Sequence, residues 1–486
     1  MSMEAGLPDK PRLIREGATP KIGIVHFGPG AFFRAFNAVY TQEAMAAEGG
    51  DWGICAVSLQ SPTARDQLMA QGCAFTSVTL APEGPTPQVI GAIAHALVAP
   101  EDPSAVLKLL GDPAVRIVSL TITEKGYCVD RATGRLQMDH PGILADLANP
   151  DQPRTALGFI TQGLAARRAQ GHAPFTVMSC DNLPDNGALT RQMVLDFAQV
   201  RDPELALWIS ENVPFPSTMV DRITPATTEQ DVADLADAAG YFDPACVMHE
   251  PFRQWVIEDD FVKDEHPAWD AAGAQFVSDV AAFELMKLRC LNGTHSSLAY
   301  LGYLAGHETI ADCVADAPFA GLCTQLWRDE ILPTLPQPEG EDLPAYCASL
   351  LTRYRNPAIR HRTWQIAMDG SQKLPQRLLG TVTSNLAAGR DSDGLALAVA
   401  AWMRYVGGVD EAGRGIDVRD PLAERLKALS DGARTPAAKV AALLGMEDVF
   451  APALAAHPSF RKSVIKAYEG LCEHGARAMV QELIKD

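Results

Sequence analysis

The sequence predicts an α/β protein in which a mostly parallel, helix-covered sheet domain is followed by a mainly α-helical domain. Three observations carry this. Short apolar runs alternate with stretches of helical period through the first half; from about Ala281 onward the apolar residues recur at three and four; and the first apolar run passes straight into a Gly-Pro-Gly turn. Parallel neighbours need crossover connections, so strand-helix alternation favours a parallel sheet with helices on both faces. At 486 residues the chain also exceeds the roughly 250–300 residues at which one core stops growing, so two domains are expected.

In chain order, the strand candidates are Ile22 to Phe27, Trp52 to Leu59, Val89 to Ile93, Arg116 to Ile122 and Phe175 to Ser179. Each is a short apolar run of strand length between helical patterns. The second half should be helical, as in Leu395 to Tyr405 and Val464 to Met479. The period changes near Asp270 to Asp279, after the acidic, Pro-containing stretch Glu258 to Pro267. A boundary there gives domains 1–279 and 280–486, with the ligand expected outside the carboxyl ends of the strands, in the cleft between the domains.

Charge and cysteine content exclude several function classes. A net charge of −19 repels nucleic acid and anionic membranes and leaves no basic stripe to track a phosphate backbone. Ten scattered cysteines without a C-x-x-C pair are too sparse for a disulfide scaffold, so they read as buried thiols in a reducing cytoplasm. Met1 to Lys21 has no apolar core of signal-peptide type, and no run of about 18 apolar residues occurs. A cytoplasmic protein, monomer or homo-oligomer, is the expectation.

Ile22 to Phe27 runs into Gly28-Pro29-Gly30-Ala31-Phe32-Phe33-Arg34. Gly28 and Gly30 permit a tight turn and close approach of the backbone to a pyrophosphate at the next helix N-terminus, which points to a Rossmann-like dinucleotide site. Phe33 stands where a third glycine is usual, and an ordinary strand-to-helix turn fits the same residues. The second strand candidate ends Ala56-Val57-Ser58-Leu59-Gln60 without the acidic residue that would clasp an adenosine ribose. NAD is the expected cofactor, and NADP stays open.

The second chemical segment is Phe283 to His295, an apolar helical stretch carrying Lys287, Asn292 and His295. A lysine desolvated on such a helix can serve as a general base, and an asparagine amide can stabilise a developing oxyanion. On α-helix geometry the three span an arc of about 140°, one broad face. A solvated lysine, a helix-capping asparagine and a core histidine fit this segment equally well. No workable thiolate and imidazole cluster for zinc is seen, so no metal is expected.

Taken with three further motifs, these residues give the chain a resemblance to the polyol-specific long-chain dehydrogenase/reductase family, which includes mannitol dehydrogenases and the fructuronate reductase (mannonate oxidoreductase) branch. The carriers are the glycine turn with Phe32 and Arg34, Thr121 to Tyr127, Ser179 to Gly187, Thr218 to Ile223, and Lys287-x4-Asn292-x2-His295. The resemblance implies a metal-independent, NAD(P)-dependent interconversion of a secondary alcohol and a ketone. It implies Lys287 as general base, Asn182 and Asn292 as the oxyanion pair, and His295 holding a substrate hydroxyl. Asp221, with Val220 beside it, would face the substrate; Glu124 and Glu284 would relay the proton from Lys287; Gly28, Gly30, Phe32 and Arg34 would hold the cofactor. One departure stands out: many members carry Phe-His-Arg-Ala-His after the second glycine, and this chain has Phe32-Phe33-Arg34-Ala35-Phe36.

Thr363 to Arg377 is similar to the fructuronate-reductase branch. Lys373 and Arg377 are four apart, so a helix beginning near Pro375 could present both to a sugar-acid carboxylate, which needs cations when desolvated. Arg253 is a further candidate, and each of the three could equally be a surface charge. D-mannonate/D-fructuronate is the first substrate expectation. The alternatives are mannitol 2-dehydrogenase or another polyol dehydrogenase, and, remotely, a dinucleotide-binding protein without catalysis.

Overall fold

Five strands of the first half pair in parallel, in the spatial order Ile93–Val98, Gly53–Ser58, Ile22–Phe27, Ile117–Leu120 and Thr176–Ser179. The computed structural model describes residues 10–130 and 133–485. Side chains on a strand alternate between faces, and here the alternation sorts residues between two cores. Ile24, Ile54, Ala56, Ile117 and Met178 join Phe36, Tyr40, Trp255 and Trp269 on one face. Val25, Cys55, Val57, Val118 and Val177 join Leu157, Ile160 and Leu164 of the helix Ala156–Gln170 on the other. With both faces covered, the strands read as continuous apolar runs, as parallel strands do.

One expected strand needs correction. Val89 to Ile93 is not a single strand: Gly84–Ile90 ends a hairpin with Phe75–Ala81, and Ile93–Val98 begins the parallel sheet. Between them the Gly91 amide donates to the Gln42 side chain at 2.9 Å and its carbonyl accepts from Arg15 at 2.9 Å, so side chains replace ladder partners there. The hairpin continues as a three-stranded sheet with Val247–His249, and Thr218–Asp221, Gln254–Glu258 and Gln275–Val277 form another.

The chain divides into two compact units, Met1–Ala281 and Ala282–Asp486. The second is helical. Leu395 to Tyr405 falls within the helix Asp393–Tyr405, whereas Val464 to Met479 is two helices, Pro458–His474 and Ala476–Leu483, separated where Gly475 takes φ +80°. Among the described residues, three stretches widen to i→i+5 hydrogen bonding, Lys287–Gly293, Leu326–Ile331 and Pro375–Leu379. Such turns are rare and concentrate at functional sites. Among the described residues, no helix is long and apolar enough to cross a membrane.

Candidate active site

In the first unit the strand order reverses between Ile22–Phe27 and Ile117–Leu120, where open α/β sheets place their ligands. Gly28 sits at that point with φ +96°, and a Cβ on it would overlap the Thr121 carbonyl. Only glycine fits. The Thr121 hydroxyl donates to the Gly28 carbonyl at 2.7 Å, and His26, fully buried, reaches Ser119 and Thr121 at 2.8 and 2.9 Å. Burial holds the His26 imidazole down to about 3, so it is neutral. Phe33, in the place of the third glycine, stacks on His26 with ring centroids 3.7 Å apart. A ring fills the space that close helix-strand packing would otherwise occupy.

Beside this turn lies a cavity of about 900 Å³ lined by Gly28, Gly30, Arg34, Thr121, Lys125 and Arg154 among others, with neither Asp nor Glu among the described residues of its wall. Cations and small residues suit the pyrophosphate of a dinucleotide. Arg34 donates to the Pro29 carbonyl at 2.7 Å and so braces the turn it follows. Phe32 is not in the wall; it stacks on Phe36 at 5.0 Å. Ser58, Leu59 and Gln60, at the end of the second strand, line the cavity without a carboxylate.

The motifs after the fourth and fifth sheet strands are tied to one another. Buried Asp181 accepts from the Ile122 and Thr123 amides, each at 2.9 Å, and from the Tyr127 hydroxyl at 2.8 Å, which fixes the loop carrying exposed Glu124. Asn186 donates to the carbonyls of Asp181 and Thr218, and the Thr218 amide returns a bond to it at 2.9 Å. Asn182 is exposed on this turn; Asp221, 3% exposed, and buried Val220 close the strand Thr218–Asp221. Sequence reasoning passed over Asp181 and Asn186 as structural ties, although both stand between Ser179 and Gly187. The Arg253 guanidinium pairs with Glu43, donates to the Ala272 carbonyl and lies 4.3 Å over the Tyr40 ring, so it already has a carboxylate partner.

In the second unit Lys287, Asn292 and His295 lie on one continuous helical path from Ala281 to Leu304. The α-helical arc expected for them does not apply, because Lys287–Gly293 is the wide turn. Hydrogen bonding from i to i+5 brings Asn292 round nearly above Lys287. Side chains support the widened backbone. The Trp327 indole and the Thr294 hydroxyl both donate to the Cys290 carbonyl, and the Tyr354 hydroxyl donates to that of Leu291. Lys287 is 8% and His295 6% exposed, while Asn292 and Glu284 are half-buried.

His295 stacks on Tyr354 at 5.2 Å and meets His361 edge-on at 4.7 Å. Burial, then His361, Arg377, Arg353 and Lys373, hold its imidazole well below the usual range. The Lys373 ammonium donates to the Met368 carbonyl at 2.6 Å, and Arg377 donates to Ser296 at 3.2 Å. Burial and the adjacent Arg377 bring Lys373 down to about 8, against the pull of Asp369 and Asp420. The helix bearing these cations begins at Gly370, not near Pro375. Pro375 instead opens a wide turn, which accommodates its missing N–H. His361, Arg353 and Tyr354 went unnoticed in the sequence because more than fifty residues separate them from His295 and no motif spans that distance. Among the described residues, no group of three or more His, Cys, Asp or Glu could hold a metal ion.

Two family models cover nearly the whole chain, the mannitol dehydrogenase Rossmann domain over residues 22–271 and the mannitol dehydrogenase C-terminal domain over residues 279–472. The D-mannonate oxidoreductase of Escherichia coli (strain K12) is 49% identical over 95% of this chain and 95% of that protein. A mannitol 2-dehydrogenase of Aspergillus terreus is 39% identical over 95% of this chain and 93% of its own length. Among solved structures, the Pseudomonas fluorescens mannitol 2-dehydrogenase ternary complex with NAD and D-mannitol superposes with a TM-score of 0.85 at 39% identity, covering 99% of this chain and 98% of the other. A substrate-free D-sorbitol dehydrogenase gives 0.88 at 35% identity, with 98% of each chain covered. The chain is therefore an oxidoreductase and belongs to the mannitol dehydrogenase family.

Proposed function

We propose that the chain interconverts D-mannonate and D-fructuronate with NAD. The observation that carries this reading is the gathering of Lys373, Arg377 and Arg353 around His295. Desolvating a carboxylate requires fixed cations, which a neutral polyol does not. The relative named for D-mannonate supports the same choice.

Gly28, Gly30, Arg34 and Lys125 would hold the dinucleotide phosphates, and a wall without carboxylates among its described residues suits their charge. Bound NAD supplies the hydride acceptor. Lys287 takes the hydroxyl proton, and Glu284, one helical turn earlier, passes it onward with Glu124. The amides of Asn292 and Asn182 donate to the oxygen as it gains charge, while Asp221 and His295 hold neighbouring hydroxyls. Chemistry of this kind needs no metal.

A second reading, D-mannitol oxidation, draws support from the relatives named as mannitol dehydrogenases. Initial rates with D-mannonate, D-mannitol and D-arabinitol, each with NAD and NADP, separate the two. Preference for mannonate is expected; a higher kcat/KM for mannitol would overturn the sugar-acid reading. We also propose a reducing, cytoplasmic setting, supported by ten free thiols of which nine are buried.

A further inference from the structure

His361 takes no part in the proposed chemistry, yet its surroundings give it a role. Its amide donates to the Ile359 carbonyl at 2.8 Å, and its carbonyl accepts from the Ile310 amide at 3.0 Å. The next residue, Arg362, pairs with Thr309 in an isolated bridge. The backbone is pinned, so the ring is presented from a fixed base, edge-on to His295.

Nδ1 of His361 and Nε2 of His295 are both buried, and neither has a hydrogen-bond partner among the described residues. Their aromatic neighbour differs. The Tyr354 hydroxyl bonds to the Leu291 carbonyl at 3.0 Å and lies 2.8 Å from the Thr294 hydroxyl. A ring present only to pack would resemble Tyr354, with its polar atom satisfied, or would be a phenylalanine, since an unpaired buried nitrogen carries its full desolvation cost. Two such nitrogens on adjacent rings mark a surface completed by a ligand.

The charges assign the kind of contact. Burial, Lys373 and Arg377 bring the His361 imidazole down to about 4, and the same cations act on His295, so both are neutral at neutral pH. A neutral imidazole offers one donor and one acceptor, as a hydroxyl does, whereas a carboxylate only accepts. We infer that His361 contacts the substrate directly, forming with His295 a two-imidazole reader of the hydroxyls on the open-chain carbon skeleton, while Lys373 and Arg377 take the carboxylate. The inference rests on His295 facing substrate; it does not require that the substrate be an acid.

The test pairs variants with substrate analogues in the full chain. His361→Phe keeps a ring and removes both nitrogens; His361→Asn restores a donor and an acceptor. Oxidation of D-mannonate and its monodeoxy analogues is measured with NAD, with NADH binding by fluorescence as the check on folding. In the wild type at least one deoxy analogue should lose tenfold or more in kcat/KM. His361→Phe should lose tenfold or more on the parent acid and no more on that analogue, and His361→Asn should recover part of the loss. Unchanged parent-to-deoxy ratios in His361→Phe, or parent activity within about twofold of wild type, would overturn the assignment. Should His361→Phe not bind NADH, the ratios are read on His361→Leu, where the same changes support or overturn it. If the wild type refuses mannonate and takes mannitol, the sugar-acid reading fails, and the same comparison on deoxymannitols still decides His361.

Discussion

Lys287 has 8% of its surface exposed and leads the wide turn that ends at Gly293. Lys287→Ala should lower alcohol oxidation by at least about a hundredfold, the scale for losing a general base, while NADH binding is retained; near wild-type turnover at neutral pH would remove lysine from the chemistry. In the proposed function Lys373 and Arg377 serve binding. A charge-assisted hydrogen bond is worth roughly 1.5–3 kcal/mol, so Lys373→Met and Arg377→Met should each cut kcat/KM for D-fructuronate about ten- to hundredfold and leave that for fructose almost unchanged. Equal losses on both substrates would show that these residues position the carbon chain or the fold. The same lysine sets a pH dependence. Its ammonium, ordinarily at 10.5, is brought down to about 8, so the charge is present below pH 8 and lost as pH rises through that value. KM for D-mannonate should climb above pH 8 relative to KM for D-mannitol, and a constant ratio from pH 7 to 9.5 would contradict it. Lys287, Asn292 and His295 were legible as candidates in the sequence because they share one short segment. His361 was not, since its place beside His295 is made by tertiary packing.

At the scale of elements, the strands buried on both faces were legible because apolar runs need only a period and a length. The hairpin Phe75–Ile90 was not, since Thr76, Thr79, Pro85 and Pro87 dilute its apolar signal. The wide turns were equally hidden, because an i→i+5 turn carries no hydrophobic period of its own. Yet two of them, Lys287–Gly293 and Pro375–Leu379, approach each other closely. A Cβ on Gly293 would lie 2.8 Å from the Arg377 carbonyl. Gly293→Ala must therefore push Lys287–Gly293 away from Pro375–Leu379, at the cost of about 1–3 kcal/mol usual for overpacking. A lowered melting temperature together with a raised KM for the sugar acid is expected. Unchanged values of both would mean that the two segments yield without consequence. Phe33 gives a related lesson: it stands where a third glycine is usual, an ordinary strand-to-helix turn fits the same residues, and the structure shows its ring stacked on His26.

Across the whole molecule, the order of motifs along the chain was the strongest signal, since five segments far apart in sequence had to agree. The scattered cysteines and histidines also form a whole-molecule prediction. Prolonged treatment with a strong chelator should leave turnover intact; loss that added zinc restores would overturn the metal-free mechanism. The three wide turns have a consequence for chain length. In each the hydrogen bond runs from i to i+5 where an α-turn closes from i to i+4, so each adds one residue to a path whose ends stay on the same helix faces. An insertion or deletion at Lys287–Gly293, Leu326–Ile331 or Pro375–Leu379 is thus absorbed locally, by switching a turn between the two pitches, and the helices on either side keep their facing residues. Elsewhere in the same helices one residue gained or lost rotates everything beyond it by about 100°. Length variation among related chains in this half should accordingly collect at these three stretches, next to Lys287 and Arg377, where a change of pitch moves the chemistry and spares the fold.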